Sequence, residues 1–220
     1  MIVVQRKPFD EIRDMIHGFG RVLIVGCGTC STVCHAGGEA QVAVLSAQLE
    51  MASRLAGQPM EPVSVTVERQ CDRAFFTQLD TLADASDAIL SMGCGAGIQL
   101  LAEAYPHKPV FPAVDTRFVG ITREDGWYEE RCRCCGRCML GLTAGVCPIT
   151  MCAKKMLNGP CGGVMNGACE VHPDLPCAWQ IIYDRLRLQG RLDCLEPIIP
   201  PVDWMDQVPA SVVQPGFRKR

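Results

Sequence analysis

The sequence predicts an α/β fold with a parallel sheet, followed by a small cysteine-rich, metal-folded domain and a C-terminal helix. Three observations carry this. Short β-branched runs alternate with helical patterns over residues 21–114. Nine of the fifteen cysteines crowd into residues 131–179, where large apolar residues are few. An apolar stripe at helical spacing follows at Trp179, Ile182, Tyr183 and Leu186. A chain of 220 residues holds one ordinary domain and a small one. The expected division is residues 1–120 for the α/β domain, 121–178 for the cysteine-rich domain, and 179–220 for the helix and a proline-rich tail.

Taken in order, residues 8–19 read as a short helix stopped by Gly18 and Gly20. Residues 21–25 form a buried strand and residues 39–56 a long helix. Residues 64–68 are a second strand, with a helix over 74–83. Residues 87–91 are a third strand, with a helix over 98–104. Residues 109–114 are a fourth. Right-handed crossovers between such strands give a Rossmann- or flavodoxin-like sheet. Residues 115–127 read as a linker or a cover over the sheet edge. The helix beginning near Ala178 is expected to pack on the α/β domain. The tail, ending in FRKR, reads as an extended arm.

Sites in parallel sheets lie beyond the carboxyl ends of the strands. Cys27, Cys30 and Cys34 follow the first strand, Cys71 the second and Cys94 the third. Five thiols distant in sequence are therefore expected on one sheet edge. Gly26, Gly28, Gly93 and Gly95 would let backbone approach a bulky ligand and offer N–H donors to sulfur. Gly26-Cys27-Gly28 also resembles the start of a dinucleotide fingerprint, but Ser31 stands where the third glycine belongs. Four thiolates suit zinc or a [4Fe–4S] cluster equally.

In the second block, Cys132, Cys135 and Cys138 have the ferredoxin spacing C-x-x-C-x-x-C, and Cys147-Pro148 matches the Cys-Pro that closes such runs. Cys152, Cys161, Cys169 and Cys177 add four more thiols. Cys134 breaks the triplet rhythm and reads as a spare thiol; Cys194 reads as structural. His35 and His172 lie near cysteines and read as supporting rather than ligating groups. The net charge of −3 lacks the basic stripe of a nucleic-acid surface. No apolar run spans a membrane, and no segment reads as an export signal. A cytoplasmic location follows, where many cysteines favour metal over disulfides.

The motifs VGCGTCSTVCHAGGEAQV, VERQCD, GCGAGIQ, RCRCCGRC, GVCPITMCAK, LNGPCGG and CAWQIIYDRL resemble the MetV-type small subunit of methylenetetrahydrofolate reductase. The likeness covers most of the chain, from Arg21 to Trp204. It implies an iron–sulfur electron-transfer subunit in one-carbon (Wood–Ljungdahl) metabolism, with two or three [4Fe–4S] clusters. It implies a partner, the TIM-barrel catalytic subunit that carries FMN. Electrons would come from ferredoxin or from a hydrogenase-linked or heterodisulfide-reductase-like module. By the same likeness Cys27, Cys30, Cys34 and Cys94 hold one cluster with Cys71 alongside, and the other eight match the C-terminal set. The competing reading makes the chain a scaffold with zinc in the C-terminal block.

Overall fold

The computed structural model describes residues 1–207 and 212–217. The chain forms two compact units, residues 1–129 and 130–220. Of the tail expected as an extended arm, residues 208–211 and 218–220 lie outside the described residues.

Unit one is built on a four-stranded parallel sheet. β2 (Arg21–Cys27) is its centre, and every residue from Val22 to Cys27 is buried. That continuous apolar run is what a strand covered on both faces requires. β3 (Glu61–Val67) lies on one side of β2; β4 (Ala88–Ser91) and then β5 (Val110–Pro112) lie on the other. The chain thus runs outward in one direction from β2 and then returns to fill the other. The loops after β2 and β4 flank the crevice where that reversal occurs.

Helices cover both faces. α1 (Phe9–Met15) and α3 (Glu39–Leu55) send Ile12, Val42, Leu45 and Leu49 against Val22, Ile24 and Leu90. On the other face α4 (Asp80–Asp84) and α5 (Gly95–Ala104) pack Ala83 and Leu101 against Leu23, Val25 and Ile89. A four-residue turn of helix, α2 (Cys30–Val33), lies between β2 and α3.

Two expectations are corrected. The helix expected over 74–83 is a 3₁₀ turn, Arg73–Phe75, followed by the short α4. Asp72 ends the extended segment by accepting a hydrogen bond from the Ala74 N–H at 3.1 Å. Phe76 then turns inward to stack on Tyr105, with ring centroids 6.3 Å apart. Side-chain capping and aromatic burial outweigh helix propensity here. The segment after residue 114 is no linker. β6 (Val114–Glu124) and β7 (Trp127–Cys132) join β1 (Ile2–Arg6) in a second sheet, ordered β1-β6-β7, with β1 antiparallel to β6. Asp125-Gly126 turns the hairpin, Gly126 having φ 79°. Asp-Gly between alternating strands is a hairpin signal that was present in the sequence.

Unit two has its own small core. α7 (Ala178–Leu188) buries Trp179, Ile182 and Leu186 against Val146 and the margins of Met151 and Met156. Its stripe therefore has its partner inside the cysteine-rich block, where the sequence pointed to the α/β domain. Tyr183, grouped with that stripe by spacing, is 44% exposed. Among the described residues no helix is long and apolar enough to cross a membrane.

Ile182→Ala should cost about 2–5 kcal/mol, the usual price of emptying a filled core position. Tyr183→Ala should stay within about 0.5 kcal/mol, as for other surface substitutions. Urea midpoints of the two variants at equal metal loading check the contrast.

Candidate metal centre

The parallel register aligns Cys27 with Val67 and Val25 with Ser91, so the three strands end together. The loop after β2 then folds back on itself. The Cys27 N–H donates to the Gly37 carbonyl at 2.9 Å, and Ala36 and Gly37 both donate to the Ser31 carbonyl. The Thr32 hydroxyl donates to the Cys27 carbonyl at 2.8 Å. Cys27, Cys30 and Cys34 are thereby held in one compact turn. Cys94 sits at the head of α5, where Gly95 donates to the Thr116 hydroxyl at 2.8 Å.

Burial pushes the Cys71 thiol up, and charge on Cys94, Cys27 and Cys30 pushes it further. Burial likewise raises Cys34, with Cys30 adding to the shift. Cys34 and Cys94 meet in one apolar cluster with Val3, Val4 and Val114. All five sequence-predicted thiols therefore share this edge. Like charges gathered this way resist ionisation until a cation joins them. An all-sulfur donor set of this kind fits a soft metal, iron or zinc. Ser31, buried among them, has a hydroxyl with no protein partner.

The glycines divide by role. A Cβ on Gly26 would come within 2.4 Å of the Thr66 hydroxyl and 2.7 Å of Val42, so this glycine serves packing of β2. Gly93 is closed in by Gln70 at 2.5 Å. Gly28 and Gly95 have room, with nearest neighbours at 3.4 and 3.5 Å. His35 pairs with Asp125 at 2.5 Å on the surface.

In unit two, Cys132 accepts the Cys134 N–H at 3.3 Å. Cys134 (φ 53°) and Gly136 (φ 84°) take the left-handed backbone that makes this turn. Cys134, a spare thiol by spacing, thus contributes its main chain. Cys135 lies in the same turn; Cys138 is exposed. Cys147 precedes α6 (Pro148–Met151), and Thr150 of α6 donates to the Arg131 carbonyl at 3.3 Å, beside Cys132.

Cys152, Cys161, Cys169 and Cys177 line one cavity of about 20 Å³, walled by Met151, Val164, Ala178 and Trp179. That is room for about one water-sized occupant. Local chemistry explains the convergence. Asn166 (φ 51°) and Gly167 (φ 82°) form the turn of a tight hairpin, with Met165 and Ala168 exchanging backbone hydrogen bonds. The Cys177 N–H reaches the Gly167 carbonyl at 2.8 Å, setting Cys177 beside Cys169. The N–H groups of His172 and Val171 hold the Cys169 thiol below its usual range. So His172 acts through its backbone. Lys154 and Glu170 form an ion pair at the rim.

Trp179 places the remaining thiol. Its indole N–H donates to the Met156 carbonyl at 2.8 Å, and its ring lies against Gly159, where a Cβ would approach to 2.5 Å. Asn158 exchanges two hydrogen bonds with Ile199, at 2.7 and 2.8 Å, fixing the LNGPC loop that carries Cys161. Cys194 accepts from Arg191 at 3.3 Å at the core margin. Among the described residues, no three His, Cys, Asp or Glu side chains form a ready-made single-ion site.

Residues 111–205 match the family described as methylene-tetrahydrofolate reductase C terminal. That segment is similar to the methylene-tetrahydrofolate reductase C-terminal family. The resemblance carried by the cysteine motifs is borne out there, and the reductase segment takes in all of the second cysteine block. No curated protein and no solved structure matches the chain. Gln70 and Ser91, buried beneath the strand-end thiols, and Trp179 as a loop wedge were not singled out as site residues from the sequence.

Gly159→Ala forces a methyl group into the Trp179 ring. Cys161 should leave the four-thiol pocket, and peptide mapping after brief alkylation should show it labelled faster than in the unaltered chain.

Proposed function

We propose that this chain is the iron–sulfur electron-transfer subunit of a methylenetetrahydrofolate reductase complex. The observation that carries the reading is the gathering of five thiols at one strand-end edge, in a chain whose residues 111–205 match the reductase C-terminal family. The strand order around β2 supports a flavodoxin-like, doubly wound reading of the sheet. In it, Cys27, Cys30, Cys34 and Cys94 hold a [4Fe–4S] cluster with Cys71 alongside, and Cys132, Cys135, Cys138 and Cys147 hold a second. When bound, such a cluster carries one electron at low potential. The chain's part is to supply thiolates, backbone N–H groups and an apolar wall that limits water. The catalytic partner would bear FMN and the folate, and gather two electrons for reduction of the methylene carbon. The donor would be ferredoxin or another redox module, and the setting one-carbon (Wood–Ljungdahl) metabolism in the cytoplasm.

The small cavity among Cys152, Cys161, Cys169 and Cys177 favours a single ion there. We therefore assign zinc to that set, folding the cysteine-rich unit as a metal-stabilised domain alongside the iron.

Anaerobically purified protein should be brown and contain both iron and zinc. Cys30→Ser should lower iron per chain and leave zinc unchanged, measured by elemental analysis. Colourless protein with zinc and no iron would leave only a scaffold role.

A further inference from the structure

Gln70 is 1% exposed, and its hydrogen bonds reach two other strands. Its amide N–H donates to the Val25 carbonyl at 2.7 Å. Its oxygen accepts from the Ser91 hydroxyl at 2.6 Å. Ser91, fully buried, accepts in turn from the Gly93 N–H at 3.2 Å. The direction of this chain is determined. Turning the amide over would set its oxygen against the Val25 carbonyl, acceptor against acceptor.

Each anchor lies close to a thiol. Val25 is two residues before Cys27, Gln70 directly precedes Cys71, and Gly93 directly precedes Cys94. Two glycines make room for the side chain: a Cβ at Gly93 or Gly97 would approach Gln70 to 2.5 or 2.6 Å. A third glycine draws the Cys27 loop inward, since a Cβ on Gly37 would lie 2.0 Å from the Met92 carbonyl. A buried amide with both ends satisfied is directional, and costly to replace by a group that satisfies only one.

We propose that Gln70 is the positioning residue of the strand-end site: one buried amide sets the spacing of the loops carrying Cys27, Cys71 and Cys94. This deepens the iron–sulfur reading and rests on it for its redox consequence, while the spacing itself can be tested without metal. Gln70→Met keeps bulk but removes the amide: the Val25 carbonyl retains only the Met92 N–H at 2.8 Å, and the Ser91 hydroxyl loses its acceptor. Gln70→Met combined with Ser91→Ala removes the unpaired hydroxyl as well. A filler role predicts that the double variant regains normal behaviour.

Two measurements on the full chain decide the matter. In metal-stripped protein, a short bis-alkylating reagent followed by peptide mapping should join Cys71 to Cys94 in the unaltered chain. The joined fraction should fall in Gln70→Met and stay low in the double variant. In holoprotein, both should show a changed spectrum of the reduced strand-end cluster and a shifted midpoint potential, with zinc unchanged. Should Gln70→Met fail to fold, Ser91→Ala alone is read by the same two measurements. Unaltered cross-linking, or its recovery in the double variant, would overturn the positioning role. Cys27→Ser separates the two ideas. If it leaves the iron spectrum unchanged, the cluster assignment fails, and the cross-linking result still decides the role of Gln70.

Discussion

Close backbone approach at the carboxyl edge of the sheet is the constraint on which the strand-end site depends. Three loops must meet there, and each brings thiols that repel once ionised. Glycine removes the steric barrier at Gly37, Gly93 and Gly97, and the Gln70–Ser91 pair holds the loops once they have met. The apolar strands beneath supply the rigidity. β2 is buried along its length, so the end of its ladder cannot drift without disturbing both faces of the core.

The cysteine-rich unit follows a different logic. Its apolar core is small, and one helix provides most of it. Trp179 serves both that core and the site, because its ring fills the core margin and its face holds the LNGPC loop. The Asn166-Gly167 hairpin and the left-handed turn at Cys134 are local devices that orient sulfur with little help from distant residues. Residues 111–205, which include both, match the methylene-tetrahydrofolate reductase C-terminal family.

Much of this was legible in the chain itself. Parallel strands at β2, β3 and β4 follow from their β-branched runs, and α3, α5 and α7 from their periodicity. The convergence of Cys27, Cys71 and Cys94 could be reasoned from topology alone, because parallel strands must end on the same edge. The second sheet was missed although its Asp-Gly turn was in view: its first strand, β1, lies more than a hundred residues before its partner β6. The helix over 74–83 was over-read because a capped turn and inward aromatics resemble helical spacing.

Local chemistry explains what the sequence determined by itself: the alternation of strands and helices, the ferredoxin-type spacing of Cys132, Cys135 and Cys138, and the turn residues around Cys169. These depend on neighbours a few positions away. Only the tertiary structure decided which glycines make room for another side chain and which do not. Only it joined Cys152, Cys161, Cys169 and Cys177 around one cavity, and showed Gln70 bonded to both β2 and β4. Those facts depend on contacts between distant segments, and composition or spacing carries no record of which buried polar group will meet which backbone.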